Sequence, residues 1–208
     1  MTIAALLGHF GINVPRYVTM DGQIVFDGVT ASAGGGFTST THGAVTPVTN
    51  HTFHGGEEPD DAPTDPTESG AWWDDTAALD RHVAAMRQQF PGVVFVPAED
   101  DMAPCWIGDI NTGRGTFRVG VILRHDGGLP SVRVLSVPQL GVHVGRRWQP
   151  SPHLYTNGAL CVADRSDWDP AVHTAATVTG WAAHWLAPFT EWRITRRWPV
   201  EGVQSRVA

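Results

Sequence analysis

Leu79, Val83, Met86 and Phe90 recur at i, i+4, i+7 and i+11, with Asp74-Asp75-Thr76 ahead of them and Pro91-Gly92 behind. That spacing puts four apolar side chains on one face of an α-helix. The Asp/Thr cluster supplies an N-cap and well-placed negative charge, and Pro-Gly ends the helix. Apolar runs follow at 93–96, 105–110, 117–124 and 132–137, separated by Gly, Pro and Asn, which predicts four strands joined by hairpins. After Pro138 regular pattern is absent for about thirty residues, far longer than an ordinary connection, and loops of that length are often functional. A second helix is predicted over 170–186, with Pro170 in its first turn and Val172, Ala175, Ala176, Val178, Ala182 and Trp185 available for burial. Helix, four-strand antiparallel meander, long loop, helix is an α+β layer.

The first 56 residues read differently. They are rich in Gly and Thr and hold two Asp-Gly pairs, at 21–22 and 27–28. The segments flanking the first pair predict a short hairpin, since Asp-Gly supplies the positive φ of a tight turn. Ala33-Gly34-Gly35-Gly36 and the Thr-rich run after it read as loop. His42, His51 and His54 match no standard metal-ligand spacing and read as solvated loop histidines. Residues 57–75 hold eight of the twenty-one acids, three prolines and no base, the composition of a linker. The chain therefore divides into an N-terminal extension (1–56), an acidic Pro-rich linker (57–75) and a main domain (76–208). Within 76–208 thirteen Arg face eleven acids.

Composition narrows the function classes. No apolar run approaches the length of a membrane span, and the N-terminus has no basic flank for a secretory signal. Two cysteines make no secreted disulfide framework and no four-thiolate site, which favours a reducing cytoplasm. A net charge of −7 argues against sequence-independent nucleic-acid binding. All fourteen basic residues are Arg; the chain has no Lys.

The candidate chemistry sits in the long loop, Pro150-Ser151-Pro152-His153-Leu154-Tyr155-Thr156-Asn157-Gly158-Ala159-Leu160-Cys161, with Trp168-Asp169-Pro170 opening the second helix. A cysteine in a polar loop is a candidate nucleophile, with His153 as a positioned polar partner; a loop cysteine without a role is the alternative. Cys105, beside Trp106 in a predicted strand, reads as a core thiol. Trp72 and Trp73 stand in the acidic linker, where exposed tandem indoles are costly unless they dock, so they read as an anchor. His173 and His184 read as ordinary helical residues.

This loop resembles the active-site loop of ubiquitin-conjugating enzymes. There a His-Pro-Asn tripeptide ends eight residues before the catalytic Cys. A Tyr, a Gly three residues before the Cys, and a downstream Trp-x-Pro follow it. Here Ser151-Pro152-His153 takes the tripeptide's place, Tyr155 the aromatic, Gly158 the glycine, Cys161 the nucleophile and Trp168-Asp169-Pro170 the last motif. Trp106 and Pro130 agree with the family's second and fourth strands, and the Trp-rich 180–198 run is similar to bacterial members found in ubiquitin-like conjugation and antiphage (CBASS-type) operons. The resemblance covers roughly 76–190. It departs at the tripeptide, where Ser151 replaces His and His153 replaces the Asn thought to support the loop and the oxyanion. The Trp after the Cys also comes about one residue early. His54-Gly55-Gly56 is similar to the end of a ubiquitin tail, but 56 residues are short for that fold, and these glycines read as loop.

The resemblance implies a ubiquitin-conjugating fold and a transferase that needs no cofactor. Its partners are an activating-enzyme homologue, a ubiquitin-like protein and a target protein, with no nucleic acid or membrane. Cys161 would be the nucleophile and His153 the oxyanion donor, with Pro152, Tyr155, Asn157, Gly158, Asp164 and Trp168 supporting the loop. Arg146, Arg147 and Arg165 are candidates to lower the thiol pKa, and Asp164 or Asp167 to orient an amine. The absence of Lys would also spare such an enzyme self-modification, although an Arg-favouring genome explains the same bias. Two rivals stand beside this reading: an inactive binding module of the same fold, and a cysteine hydrolase built on Cys161 and His153. The transferase reading expects the Cys161 sulfur at the mouth of an open groove.

Overall fold

The computed structural model describes residues 14–61, 71–99 and 102–199. Within them the main sheet is the predicted meander: β6 (Val94–Val96), β7 (Cys105–Asn111), β8 (Thr116–Ile122) and β9 (Ser131–Val134), antiparallel in the order β6-β7-β8-β9. Its register pairs Phe95 with Trp106, Trp106 with Val121 and Val121 with Val132. Along β8, Phe117, Val119 and Val121 turn inward while Thr116 and Arg118 face water, the alternation that a one-sided sheet imposes.

Helix α1 (Thr76–Gln89) starts where the sequence places it. Asp75 is the N-cap, its carboxylate accepting the Ala77 N–H at 3.0 Å. Its inner face carries His82 and Met86, with Leu79 and Val83 partly covered. Helix α2 (Ala175–Thr195) differs from its prediction at both ends. Residues 169–173 form a separate turn, in which the Asp169 side chain accepts the Ala171 N–H and His173 N–H bonds back to the Asp169 carbonyl. The helix begins only after extended Thr174, and Val172 is left 69% exposed instead of buried. At the far end the helix runs through Pro188 because the surrounding core fixes it. Fifteen of its residues are buried, so α2 is apolar all round and lies at the centre of the molecule. The first N–H of α2, on Ala175, is taken by His82 Nδ1 at 3.1 Å, tying the two helices together.

Two parts of the chain carry more order than the pattern suggests. The long loop contains a hairpin, β10 (Gly141–Val144) with β11 (Arg147–Pro150). The Gly- and Thr-rich N-terminal segment forms a five-stranded antiparallel sheet in the order β2-β1-β5-β4-β3. It comprises β1 (Tyr17–Thr19), β2 (Ile24–Val25), β3 (Val29–Ala31), β4 (Phe37–Ser39) and β5 (Gly43–Pro47). The predicted hairpin is its β1–β2 pair; the Thr-rich run read as loop supplies β4 and β5. Each strand is too short to show a period of two, and the pairing is between segments up to thirty residues apart. The sheet docks on the main domain at the Asp21-Gly22 turn. Asn111 N–H bonds to the Asp21 carbonyl at 2.8 Å, and Gly22, at φ +97°, passes so near Ile110 that a Cβ would lie 2.6 Å from it.

After β5 the chain does not leave the domain. Phe53 is buried among the rings of His51, His153, His184 and Trp198. The buried Arg124 guanidinium holds the Pro59 and Asp60 carbonyls at 2.9 and 2.6 Å as well as the Asp126 carboxylate. Trp72 and Trp73 also dock: the Trp72 indole donates to the Arg124 carbonyl at 2.7 Å, and buried Trp73 packs on His125. Among the described residues no helix is long and apolar enough to cross a membrane.

Three histidines are placed where charge is unwelcome. His51 Nε2 lies 2.9 Å from Nδ1 of the buried His184, Arg16 stands beside both, and Asp167 only partly offsets it. Burial lowers the pKa of His51 and of His82 to about 4 and that of His184 well below the ordinary value. Because the fold holds these rings neutral, their contribution is complete above the unfolded histidine value and is lost as pH falls through the range 6.5 to 4. Each such ring should remove about 1.4 kcal/mol of stability per pH unit there. Urea unfolding at pH 7.5, 6 and 5 should show this loss, and His51→Gln combined with His184→Gln should flatten it.

Candidate active site

The loop from 151 to 161 is built around one unusual backbone position. His153 has φ +57°, left-handed geometry that Asn, Asp and His enter more readily than other side chains. Asn, which the resemblance implies for this position, belongs to the same group of side chains that tolerate this conformation. The turn aims the His153 carbonyl inward, where it accepts both the Cys161 N–H (3.1 Å) and the Trp185 indole N–H from α2 (2.9 Å). Leu154 and Leu160 then pair in an antiparallel bridge, and Tyr155 N–H bonds to the Ala159 carbonyl at 2.9 Å. The tip is closed by Asn157, whose Oδ1 accepts the Ala159 N–H, and by Gly158 at φ +83°. Leu160 N–H to the Val132 carbonyl (2.8 Å) fastens the segment to β9.

The other expected residues have definite places. Pro152 follows Ser151, whose N–H bonds to the Leu140 carbonyl. Asp164 caps a short 3-10 turn at Arg165–Asp167, accepting from the Ser166 hydroxyl and N–H, and these bonds keep its pKa below the usual value. The Asp167 carboxylate accepts the N–H groups of Asp164 and Thr52. Trp168 donates its indole N–H to the Gly127 carbonyl at 3.0 Å, anchoring the segment after Cys161.

The sulfur is not at the mouth of an open groove. Cys161 is 1% exposed, its neighbours Leu160, Val162 and Ala163 are buried with it, and residues 52–58 lie over the loop. Its thiol pKa is raised, first by burial and then by the Asp164 and Glu58 carboxylates. The Tyr155 hydroxyl and the His54 main chain oppose that rise without reversing it, while the thiol itself bonds to the Ala163 carbonyl at 3.9 Å. Arg165, Arg146 and Arg147 do not bring the thiol down; all three side chains are exposed. The His153 ring, held neutral by burial, donates Nδ1–H to the His54 carbonyl at 2.9 Å and packs on Phe53 and Trp198.

Three contributors escaped the sequence reading. His54 is not a solvated loop residue: beyond its main-chain contacts, its Nε2 lies 3.3 Å from Asp164. Glu58 receives the Asn157 side-chain amide and stands 3.7 Å from Arg133, which also donates to the Asn157 carbonyl. His184 is no ordinary helical residue but part of the buried His51–Arg16 cluster. The His54-Gly55-Gly56 tripeptide was the visible signal for the first of these. Cys105 is half-buried on β7, its pKa likewise raised by burial.

A cysteine loop running between a four-stranded meander and a buried helix belongs here to an E2-like protein of ubiquitin-conjugating-like role. The family model of the type II CBASS E2 protein matches residues 82–205, and the chain belongs to that bacterial antiphage family. No curated protein and no solved structure matches the chain.

Two substitutions probe the loop. Tyr155→Phe removes a hydroxyl donor from the sulfur, so the pH profile of Cys161 alkylation should move to higher pH, with labelling at pH 8 slowed severalfold. Trp185→Phe leaves the His153 carbonyl with one donor instead of two and opens a cavity where the fully buried indole packs, and should cost about 2–3 kcal/mol in urea unfolding.

Proposed function

We propose that the protein is a conjugating transferase whose Cys161 accepts the C-terminal acyl group of a ubiquitin-like protein from an activating-enzyme homologue and passes it to an amine of a target. The observation that carries this reading is the loop itself. A left-handed residue eight positions before the cysteine, a glycine three before it, a bond from the His153 carbonyl to Trp185 of α2 and a Trp168 anchored on Gly127 after it support this reading, in a chain of the E2 family.

In the first transfer the Cys161 thiolate attacks the donor's thioester carbonyl, and the donor cysteine leaves as thiolate. One thioester replaces another, so the step is nearly isoenergetic and depends on access and orientation. The Tyr155 hydroxyl favours the thiolate through its hydrogen bond. In the second transfer an amine attacks the Cys161 thioester, an amide forms, and Cys161 leaves as thiolate. Asp164 and Asp167 flank the sulfur's segment as carboxylates able to hold the incoming ammonium before it loses a proton. The His153 Nδ1–H becomes an oxyanion donor only when the His54 carbonyl releases it.

One observation favours a second reading. A thiol 1% exposed and held protonated suits an inactive binding module of the same fold. Incubation with the cognate activating enzyme, its ubiquitin-like protein and ATP separates the two. The transferase should form a thiol-labile adduct that Cys161→Ala abolishes and Cys161→Ser converts to a thiol-resistant ester. A binding module should retain partner affinity in Cys161→Ala and form no adduct.

A further inference from the structure

Residues 52–58 contact nearly every polar group that the proposed reaction would use. His54 alone meets two: its carbonyl takes the His153 Nδ1–H at 2.9 Å, and its ring Nε2 lies 3.3 Å from Asp164. Thr52 N–H occupies Asp167 at 2.8 Å, and Glu58 occupies the Asn157 amide. Between them Gly56 forms a parallel bridge with Tyr155, and its carbonyl accepts the Thr156 N–H at 2.8 Å.

A plain connector has no need to pair its main chain with the cysteine loop. This segment pairs as docked peptides do, through backbone bonds along an exposed chain edge. It passes the loop as Gly55-Gly56, with Gly56 at φ +115°, a conformation that L side chains rarely adopt. Phe53 is its apolar anchor, 1% exposed, whereas the remaining contacts are polar and partly solvated. The two glycines form one wall of a cavity of about 830 Å³ also lined by Trp148, Tyr155, Trp192 and Trp198, with Cys161 outside its lining.

We infer that residues 52–58 are a resident occupant of the groove by which a donor tail reaches Cys161. The protein then rests closed, and the partner that opens it is a flexible C-terminal tail with glycine near its end, taking over the same pairing with Tyr155 and Thr156. The occupant is this chain's own segment, in place on the groove. The inference rests on the proposed transfer reaction for the identity of the incoming tail, but the closure itself can be measured without that reaction.

The test is iodoacetamide labelling of the whole protein at pH 8, followed by peptide mass spectrometry, with Cys105 as the internal reference. Glu58→Arg sets like charge against Arg133 and frees Asn157 at the surface, leaving the core intact. It should raise Cys161 labelling about tenfold relative to Cys105 and well above Glu58→Gln, which removes the same negative charge from the thiol but keeps an acceptor for Asn157, because reaction proceeds only from the open population. Phe53→Ala should open the groove further, and thermal melts identify any variant that has simply unfolded. A synthetic peptide of residues 52–58, added at the millimolar level that a tether imposes, should slow labelling of the Glu58→Arg protein again, while a scrambled peptide should not. Labelling of Cys161 that is equally fast, or equally slow, in the folded wild type and Glu58→Arg overturns the closure. Failure of the peptide to protect overturns its role as occupant. Neither arm uses an activating enzyme or a modifier, so absence of an adduct in the conjugation assay is a separate result.

Discussion

The His153 carbonyl joins the parts of the molecule on which the site depends. It accepts from Cys161 on one side and from Trp185, on the central helix, on the other. A carbonyl reaches both donors only because His153 bends the chain into left-handed geometry. The loop thereby gains a fixed distance between its tripeptide and its cysteine, and a fixed link between the cysteine and α2. A buried carbonyl with two donors is also a place where water has no advantage, so the link is worth more here than on the surface. The Leu160–Val132 bond completes the attachment from the side of the sheet.

What this arrangement does not provide is a ready nucleophile. Reactive thiols need access and thiolate character, and in this resting geometry Cys161 has neither. The two deficits share one origin. The segment that covers the sulfur also brings the Glu58 carboxylate near it and holds the His153 N–H. Departure of that segment would restore water to the sulfur, remove a neighbouring negative charge and free a donor in a single movement. In the proposed reaction, access, ionisation and oxyanion support would therefore be coupled through one stretch of seven residues, not tuned one by one.

The sequence showed what is local. The α1 stripe, its Asp75 cap and the four strands are patterns within a few turns of chain, and the structure shows each of them, with the last two strands ending early at Ile122 and Val134 so that Leu135 and Val137 stand exposed. Helix α2 was misjudged at both ends because packing overrode local signals: Pro170 stands before a separate turn, and Pro188 sits inside a helix whose burial outweighs one missing N–H. The N-terminal sheet was missed because strands of two to five residues carry no period, and their pairing depends on partners far along the chain. The covering of Cys161 was missed for the same reason. His54 and Cys161 are more than a hundred positions apart, and no spacing rule connects them. The glycine pair beside His54 was noticed, yet composition alone reads two glycines as loop.

Beside the Arg-favouring genome that explains most of the bias, the lack of Lys takes on a further sense under the proposed transfer and closure. Under the proposed closure, the covering segment would govern the cysteine before loading, when the danger is premature reaction of a bare thiol. It has no hold on the acyl group afterwards, because a loaded tail and the segment cannot share one groove. From that point, an amine on the enzyme's own surface would compete with the target's at very high effective concentration. Arg is no such competitor, since a guanidinium stays protonated at any physiological pH. With fourteen Arg and no Lys, the chain keeps its basic side chains while removing side-chain amines from the loaded stage. In the proposed transfer, steric cover and amine-free composition would thus act on successive states of the same sulfur, and neither would substitute for the other.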